Sequence, residues 1–132
     1  MISDDSNLGS KSPVGGEAWG DKYVDAAVPF MFTGARINIT IRHDSFLLGS
    51  RFVEGGRQAA QLTIVYRPSD KILEWVLLGE FLDQFALEPT SLEQAGEKIY
   101  AHITKTVAPS MLRVELRRVD GPSQTTFTAI FE

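Results

Sequence analysis

The clearest structural pattern in the chain lies in residues 74–109, EWVLLGEFLDQFALEPTSLEQAGEKIYAHITKTVAP. Apolar residues recur in it at spacings of three and four, the period of an amphipathic helix. Pro89 interrupts this pattern and Pro109 ends it, because proline cannot continue a helix. The stretch therefore predicts two consecutive helices, with Thr90 and Glu93 as a capping box at the start of the second. Their predicted core stripes are Trp75, Leu78, Phe81, Leu82 and Phe85, and Leu92, Ala95, Ile99, Ile103 and Val107.

Alternating apolar and polar residues on both sides of this stretch predict four half-buried strands. The first begins near Ala35, and the segment FLLGSRFVEGGR (46–57) breaks its alternation and ends in a Gly-Gly turn. The order strand, strand, helix, helix, strand, strand predicts an α+β domain, ββααββ, with an antiparallel sheet and two helices on one face. The inward rows are Ile37, Ile39 and Ile41; Leu62, Ile64 and Tyr66; Leu112, Val114 and Leu116; and Thr125, Phe127, Ala129 and Phe131.

Such a sheet has two open edges, which proteins pair, cover or guard with charge. Joining copies edge to edge closes them, so we expect a homo-oligomer in which the strands form a multi-chain β-barrel. The alternative is that charged side chains guard the edges. The candidates for this role are Arg36, Arg42, Arg113, Glu115 and Arg117.

Composition narrows the class of protein. The 132 residues fit one domain, predicted at 29–132, after a Gly-, Ser- and Asp-rich segment 1–28 that is predicted to be a flexible arm. The formal charge of −4 disfavours nucleic acid as a partner. The chain has no cysteine, which excludes a thiol nucleophile and fits a reducing, cytoplasmic setting. No apolar run reaches the roughly 20 residues that span a bilayer, and no signal peptide is visible, so we expect no membrane partner.

The runs YRPSDKILEWVLLGEFLDQF (66–85) and EPTSLEQAGEKIYAHITKTVAPSMLRVEL (88–116) resemble the single-domain 7-cyano-7-deazaguanine (nitrile) reductases of the tunnelling-fold (T-fold) superfamily. The resemblance covers residues 35–132. It implies subunit rings with pockets between neighbouring subunits. It also implies that a Glu near the start of the second helix, here Glu93, holds the N–H edge of a purine- or pterin-like ring. The Glu that opens the first helix corresponds to Glu74.

The residues that carry the family's reaction are absent. The position of the catalytic Cys falls at Ser50 or Arg51, and that of the general-acid Asp at Arg57 or Gln58. The His before the anchoring Glu is Leu92, and the basic residues that hold the nicotinamide cofactor fall at Val76 and Gly79. A thioimide intermediate needs a thiolate. We therefore expect no nitrile reduction by the family mechanism and no cofactor.

Glu93 is the main candidate site residue, because a carboxylate can accept two parallel N–H bonds from a guanine-like edge. Its alternative role is the capping partner of Thr90. Glu74, Ser50, Arg51, Arg57 and Gln58 are the other candidate ligand contacts, and Glu93 with Arg51 the candidate catalytic pair. Each also has an ordinary interpretation, as a helix-start acid for Glu74 and as surface loop for the rest.

The two histidines, His43 and His102, are too few for a convincing metal site, so we expect no metal. His102 is predicted to lie on the surface of the second helix. Two functions compete on this sequence. One is a repurposed T-fold enzyme that binds a purine, pterin or other heterocyclic small molecule at a subunit interface. The other is a non-catalytic scaffold or partner subunit descended from a nitrile reductase.

Overall fold

The computed structural model describes residues 27–29, 36–50, 52, 55–120 and 122–132. Most of the predicted arm, including Trp19 and Tyr23, lies outside them. The strands are β1 (Ala27–Pro29), β2 (Ile39–Gly49), β3 (Arg57–Arg67), β4 (Lys71–Leu73), β5 (Met111–Asp120) and β6 (Ser123–Phe131). The helices are α1 (Trp75–Asp83), followed by a 3-10 turn at Gln84–Ala86, and α2 (Leu92–Val107).

The main sheet is antiparallel throughout, in the order β2-β3-β5-β6, and β1 pairs with β4 in a separate two-stranded sheet. Both helices cover one face of the main sheet, and the other face is open. The predicted ββααββ order and the α+β class are therefore confirmed. The small β1–β4 sheet was not predicted, because three-residue strands leave almost no periodic signal.

The core lies between the sheet and the helices. Leu62, Ile64 and Tyr66 of β3 face Leu112, Val114 and Leu116 of β5 across the register, and all six are buried. The helices add Leu78, Phe81, Leu82 and Phe85, and Leu92, Ala95, Ile99, Ile103 and Val107. These are the predicted stripes with one exception, since Trp75 is 78% exposed. It is the first residue of α1, where the turn lies beyond the edge of the packed layer.

The alternation of the first strand breaks near residue 46, as predicted, but the strand does not end there. Strand β2 continues to Gly49 through a β-bulge, because His43 pairs with Leu62 whereas Phe46 pairs with Ala60. The extra residue shifts the alternation by one position, so that the helix-facing side chains change from Ile39 and Ile41 to Phe46 and Leu48. The alternation therefore looks interrupted in the sequence although the strand is continuous.

Three of the five predicted edge guards do not lie on an edge strand. Arg113, Glu115 and Arg117 lie on β5, which is a central strand between β3 and β6, and they point to the open face of the sheet. Arg42 lies on the edge strand β2, and Arg36 precedes it. The strand order could not be read from the sequence, and it determines which strands form the edges.

His102 is 7% exposed, so the prediction of a surface position is wrong. Its ring stacks on Phe81 of α1, with ring centroids 4.0 Å apart and planes at 15°, and this stack joins the two helices. Burial, with a smaller contribution from Lys105, lowers the pKa of His102 to about 4. The histidine is therefore a neutral core residue at neutral pH.

Tyr66 fixes the chain just before α1. Its buried phenol oxygen accepts a hydrogen bond of 3.0 Å from the backbone N–H of Leu73. Burial raises the pKa of Tyr66, and this hydrogen bond offsets part of the rise. The contact holds β4 against β3 and so sets where Glu74 and α1 begin. Neither described helix is long and apolar enough to cross a bilayer.

Candidate functional site

The core turns polar at one end of the sheet. Along β3 the inward row Tyr66, Ile64, Leu62 and Ala60 ends at Gln58, and along β5 the row Leu112, Val114 and Leu116 ends at Arg118. Both end residues are half-buried, and Arg118 Nη1 donates a hydrogen bond of 3.0 Å to Gln58 Oε1. A guanidinium and an amide thus stand where the packing of the core predicts apolar side chains.

The end of β2 is fastened to the segment that precedes α2. The backbone N–H of Thr90 donates to the carbonyl oxygen of Gly49 at 3.1 Å, and Gly49 also forms a bridge with Pro89. A Cβ at position 49 would lie 2.3 Å from the carbonyl oxygen of Glu88. Only glycine allows this approach, so Gly49 sets the position from which α2 starts.

Ser91 and Gln94 form the capping box of α2, and the prediction of Thr90 with Glu93 is wrong by one residue. The Ser91 hydroxyl accepts from the N–H of Gln94 at 3.0 Å, and the Gln94 side chain accepts from the N–H of Ser91 at 3.0 Å. Thr90 is occupied elsewhere, since its hydroxyl donates to the carbonyl oxygen of Glu88 at 2.9 Å. Glu93 therefore stands in the first turn of α2 without being the capping group.

A pocket of about 180 Å³ lies at this end of the molecule, and we call it the Glu93 pocket. It brings together a carboxylate from α2, a guanidinium from β5 and an amide from β3. The exposed ring of Phe52 adds an aromatic face. Its lining residues are Gly49, Phe52, Gln58, Thr90, Ser91, Leu92, Glu93 and Arg118.

A second pocket of about 210 Å³ shares Gly49 with the first and is walled by residues 49–50, 55–56 and 86–89. Ser50 holds the wall of this pocket with one backbone and one side-chain hydrogen bond. Its N–H donates to the carbonyl oxygen of Gly56 at 2.9 Å, and its hydroxyl accepts from the N–H of Phe52 at 3.1 Å. Gly55 has φ +74°, a conformation that favours glycine.

The predicted site residues are only partly brought together. Glu93 and Gln58 line the Glu93 pocket, and Ser50 lines the adjoining one. Arg57 is exposed opposite Gly49 at the start of β3 and lines neither of these two pockets. Arg51 lies outside the described residues.

Glu74 is the N-cap of α1. Its carboxylate accepts from the backbone N–H groups of Leu77 at 2.9 Å and Val76 at 3.3 Å. It lines neither the Glu93 pocket nor the adjoining one. The structure thus gives this carboxylate a capping role.

Arg118 was missed in the sequence, although a signal for it exists. It has the same alternation parity as Leu112, Val114 and Leu116, so a cation at that position on an inward row is unusual. Arg113 and Arg117 have the opposite parity.

The histidines do not join the pocket. The rings of His43 and Phe46 are in edge contact at 6.1 Å, beside the bulge in β2, and His102 is in the core. Across the described parts of the chain, no three His, Asp or Glu side chains stand close enough together to hold a metal ion.

A scan against protein-family models gives no match, and neither does a search of the curated proteins. Among solved structures, the chain is similar to the archaeosine synthase QueF-Like in its apo form. The TM-score is 0.62 at 10% identity, over 75% of this chain and 95% of that one. At this identity the likeness concerns the fold alone, and it agrees with the predicted ββααββ tunnelling-type fold.

Proposed function

We propose that this chain binds a purine- or pterin-like heterocycle through Glu93, in a pocket that is completed at the junction between subunits of a homo-oligomeric ring. The observation that carries the proposal is the position of Glu93, which lines a pocket together with Gln58 and Arg118 while Ser91 and Gln94 cap the helix. Two carboxylate oxygens side by side match the paired N–H donors of a guanine- or pterin-type edge.

The other groups of the pocket suit a flat heterocycle. Gln58 offers both a donor and an acceptor, and Phe52 offers a ring face for stacking. Phe52 is 85% exposed in the single chain. An aromatic side chain with that exposure beside a polar pocket is what an interface site needs, because the neighbouring subunit would cover both.

The edges of the sheet support the ring. Strands β2 and β6 form the two edges of the main sheet, and they are 11 and 9 residues long. Edges of that length are a liability unless they are paired. Leu47 on β2 and Ile130 and Phe131 on β6 are exposed apolar side chains of the kind that a neighbouring strand would cover.

The structural neighbour supports the same class of ligand. It is an archaeosine synthase, and it shares the fold across most of both chains. The nitrile reductases that the sequence resembles act on a 7-deazapurine. The proposal transfers only the heterocycle and the anchoring carboxylate. Reduction of a nitrile is not transferred, because the chain has no cysteine to form the thioimide.

The test is a ligand screen followed by crystallography of the assembled protein. Guanine, 7-deazaguanine and pterin are expected to raise the melting temperature, and the ring is expected to bind with its N–H edge on Glu93. No thermal shift with any of the three, together with no ligand density at Glu93, would reject the proposal. A pocket filled by side chains of the neighbouring subunit would favour the scaffold instead.

Oligomeric state is measured separately by light scattering. The wild-type protein is expected to be a ring. Ile130→Lys on β6 places a charge on the exposed edge strand and is expected to weaken assembly. Thr63→Lys on the central strand β3 is the matched control at a half-buried position that no edge contact requires. A monomeric wild-type protein would contradict the ring.

A further inference from the structure

A guanidinium inside the Glu93 pocket is unexpected for a site that recognises only a neutral ring. Arg118 comes from the central strand β5, points toward the helix layer and is half-buried. Its hydrogen bond of 3.0 Å to Gln58 Oε1 orients the planar group. The pocket therefore presents a cationic hydrogen-bond donor beside the Glu93 carboxylate.

The neighbouring Arg117 shows what an arginine does on this strand without a pocket. It bonds to Gln61 of β3, with Nε 3.0 Å from Oε1, in a pair that resembles Arg118 with Gln58. Arg117 lies on the open face of the sheet and is exposed, whereas Arg118 lies on the helix-facing side beside Glu93. Each of the two arginines bonds to a glutamine of β3, but Arg118 lines the Glu93 pocket and Arg117 does not.

We infer that Arg118 selects an acidic ligand, so that the heterocycle bound by this protein carries a carboxylate or phosphate group beside the ring. This inference rests on the proposed function, since it adds a second recognition element to the same pocket. Glu93 would accept the N–H edge of the ring, and Arg118 would donate to the acid group. A planar guanidinium can give a carboxylate two parallel N–H bonds, which favours it over a neutral analogue.

The experiment compares a neutral ring with its acidic derivatives. Pterin, pterin-6-carboxylate and pterin-7-carboxylate are titrated into the assembled protein by calorimetry. The wild-type protein is expected to bind one of the two carboxylates at least about tenfold more tightly than pterin, because hydrogen bonds between charged groups are the stronger class. Raising the salt concentration is expected to reduce this preference.

Arg118→Met is expected to abolish the preference for the carboxylates, because the charge is lost while the aliphatic part of the side chain is largely kept. Arg117→Met is the matched control and is expected to keep the full preference. Arg118→Lys keeps a charge without the planar fork and is expected to give an intermediate value. The lysine variant also serves if the methionine variant does not fold.

The outcomes separate the inference from the proposal on which it rests. Pterin binding with equal affinity for the carboxylates would overturn the role of Arg118 and leave Glu93 as the ring anchor. An equal loss of preference in Arg117→Met and Arg118→Met would also overturn it, because the effect would then come from the overall charge. Failure of all three compounds to bind the wild-type protein would overturn both.

Discussion

The starts of the two helices use the same residue type in opposite ways. At α1, Glu74 caps the helix with its own carboxylate, which accepts from the N–H groups of Val76 and Leu77. At α2, Ser91 and Gln94 cap the helix, and Glu93 faces a pocket. A helix start needs acceptors for its first N–H groups, and α2 meets that need with a hydroxyl and an amide. The carboxylate of Glu93 is therefore not the capping group of α2.

The largest effect is expected from a substitution that separates the start of α2 from the sheet. Gly49→Val places a Cβ against the carbonyl of Glu88. It is expected to lower the free energy of unfolding by about 3 kcal/mol and to abolish ligand binding. Urea denaturation measures the cost. Gly79→Ala in α1 is the control, because nothing lies within 4 Å of its added Cβ. It is expected to raise stability by about 0.5–1 kcal/mol. Equal losses in both variants would contradict the account.

The stack of His102 on Phe81, which joins the two helices, is expected to make the stability of the fold sensitive to acid. The pKa of His102 is about 4 in the folded protein and about 6.5 in the unfolded chain. The unfolded chain therefore binds more protons between these values, so stability is full above pH 6.5 and falls as the pH drops toward 4. Allowing for solvent screening, the loss is about 2 kcal/mol. His102→Phe removes this component, and an unchanged pH profile in that variant would contradict the assignment.

Removing either helix cap is expected to have a smaller effect on stability. Glu74→Ala and Ser91→Ala each remove the capping acceptor of one helix, and each is expected to cost about 1 kcal/mol. Glu74→Ala should leave ligand affinity unchanged, because its carboxylate lies outside the Glu93 pocket. Melting curves and calorimetric titration of the same samples check both points. A large loss of affinity in Glu74→Ala would place Glu74 in the ligand site.

The sequence predicted the scaffold better than the site because periodic burial is a local signal. The stripes of α1 and α2 and the rows of β3 and β5 follow from spacing alone. The bulge between His43 and Phe46 defeated the same reasoning, since one extra residue reverses the parity without ending the strand. Strand order is not a local property either. For this reason Arg113 and Arg117 were predicted as edge guards, although they lie on a central strand of the sheet.

The site depends on which side chain takes which hydrogen bond, and spacing does not decide this. The sequence predicted Thr90 with Glu93 as the capping pair, whereas Ser91 with Gln94, which have the same spacing, form it. The contact of Gly49 with Glu88 and Thr90 fixes the entry to α2 and makes Ser91 the cap. That long-range contact leaves Glu93 outside the cap. Arg118, by contrast, could have been found from its parity on β5.

The most direct test of the central claim is the affinity of Glu93→Gln for pterin, measured by calorimetry beside its unfolding free energy. We predict a change in stability below about 0.5 kcal/mol, because Glu93 is not the cap. We also predict a fall in affinity of about tenfold or more, because the charged acceptor of the ring is lost. Unchanged affinity in Glu93→Gln, or a stability loss as large as that of Ser91→Ala, would contradict the account.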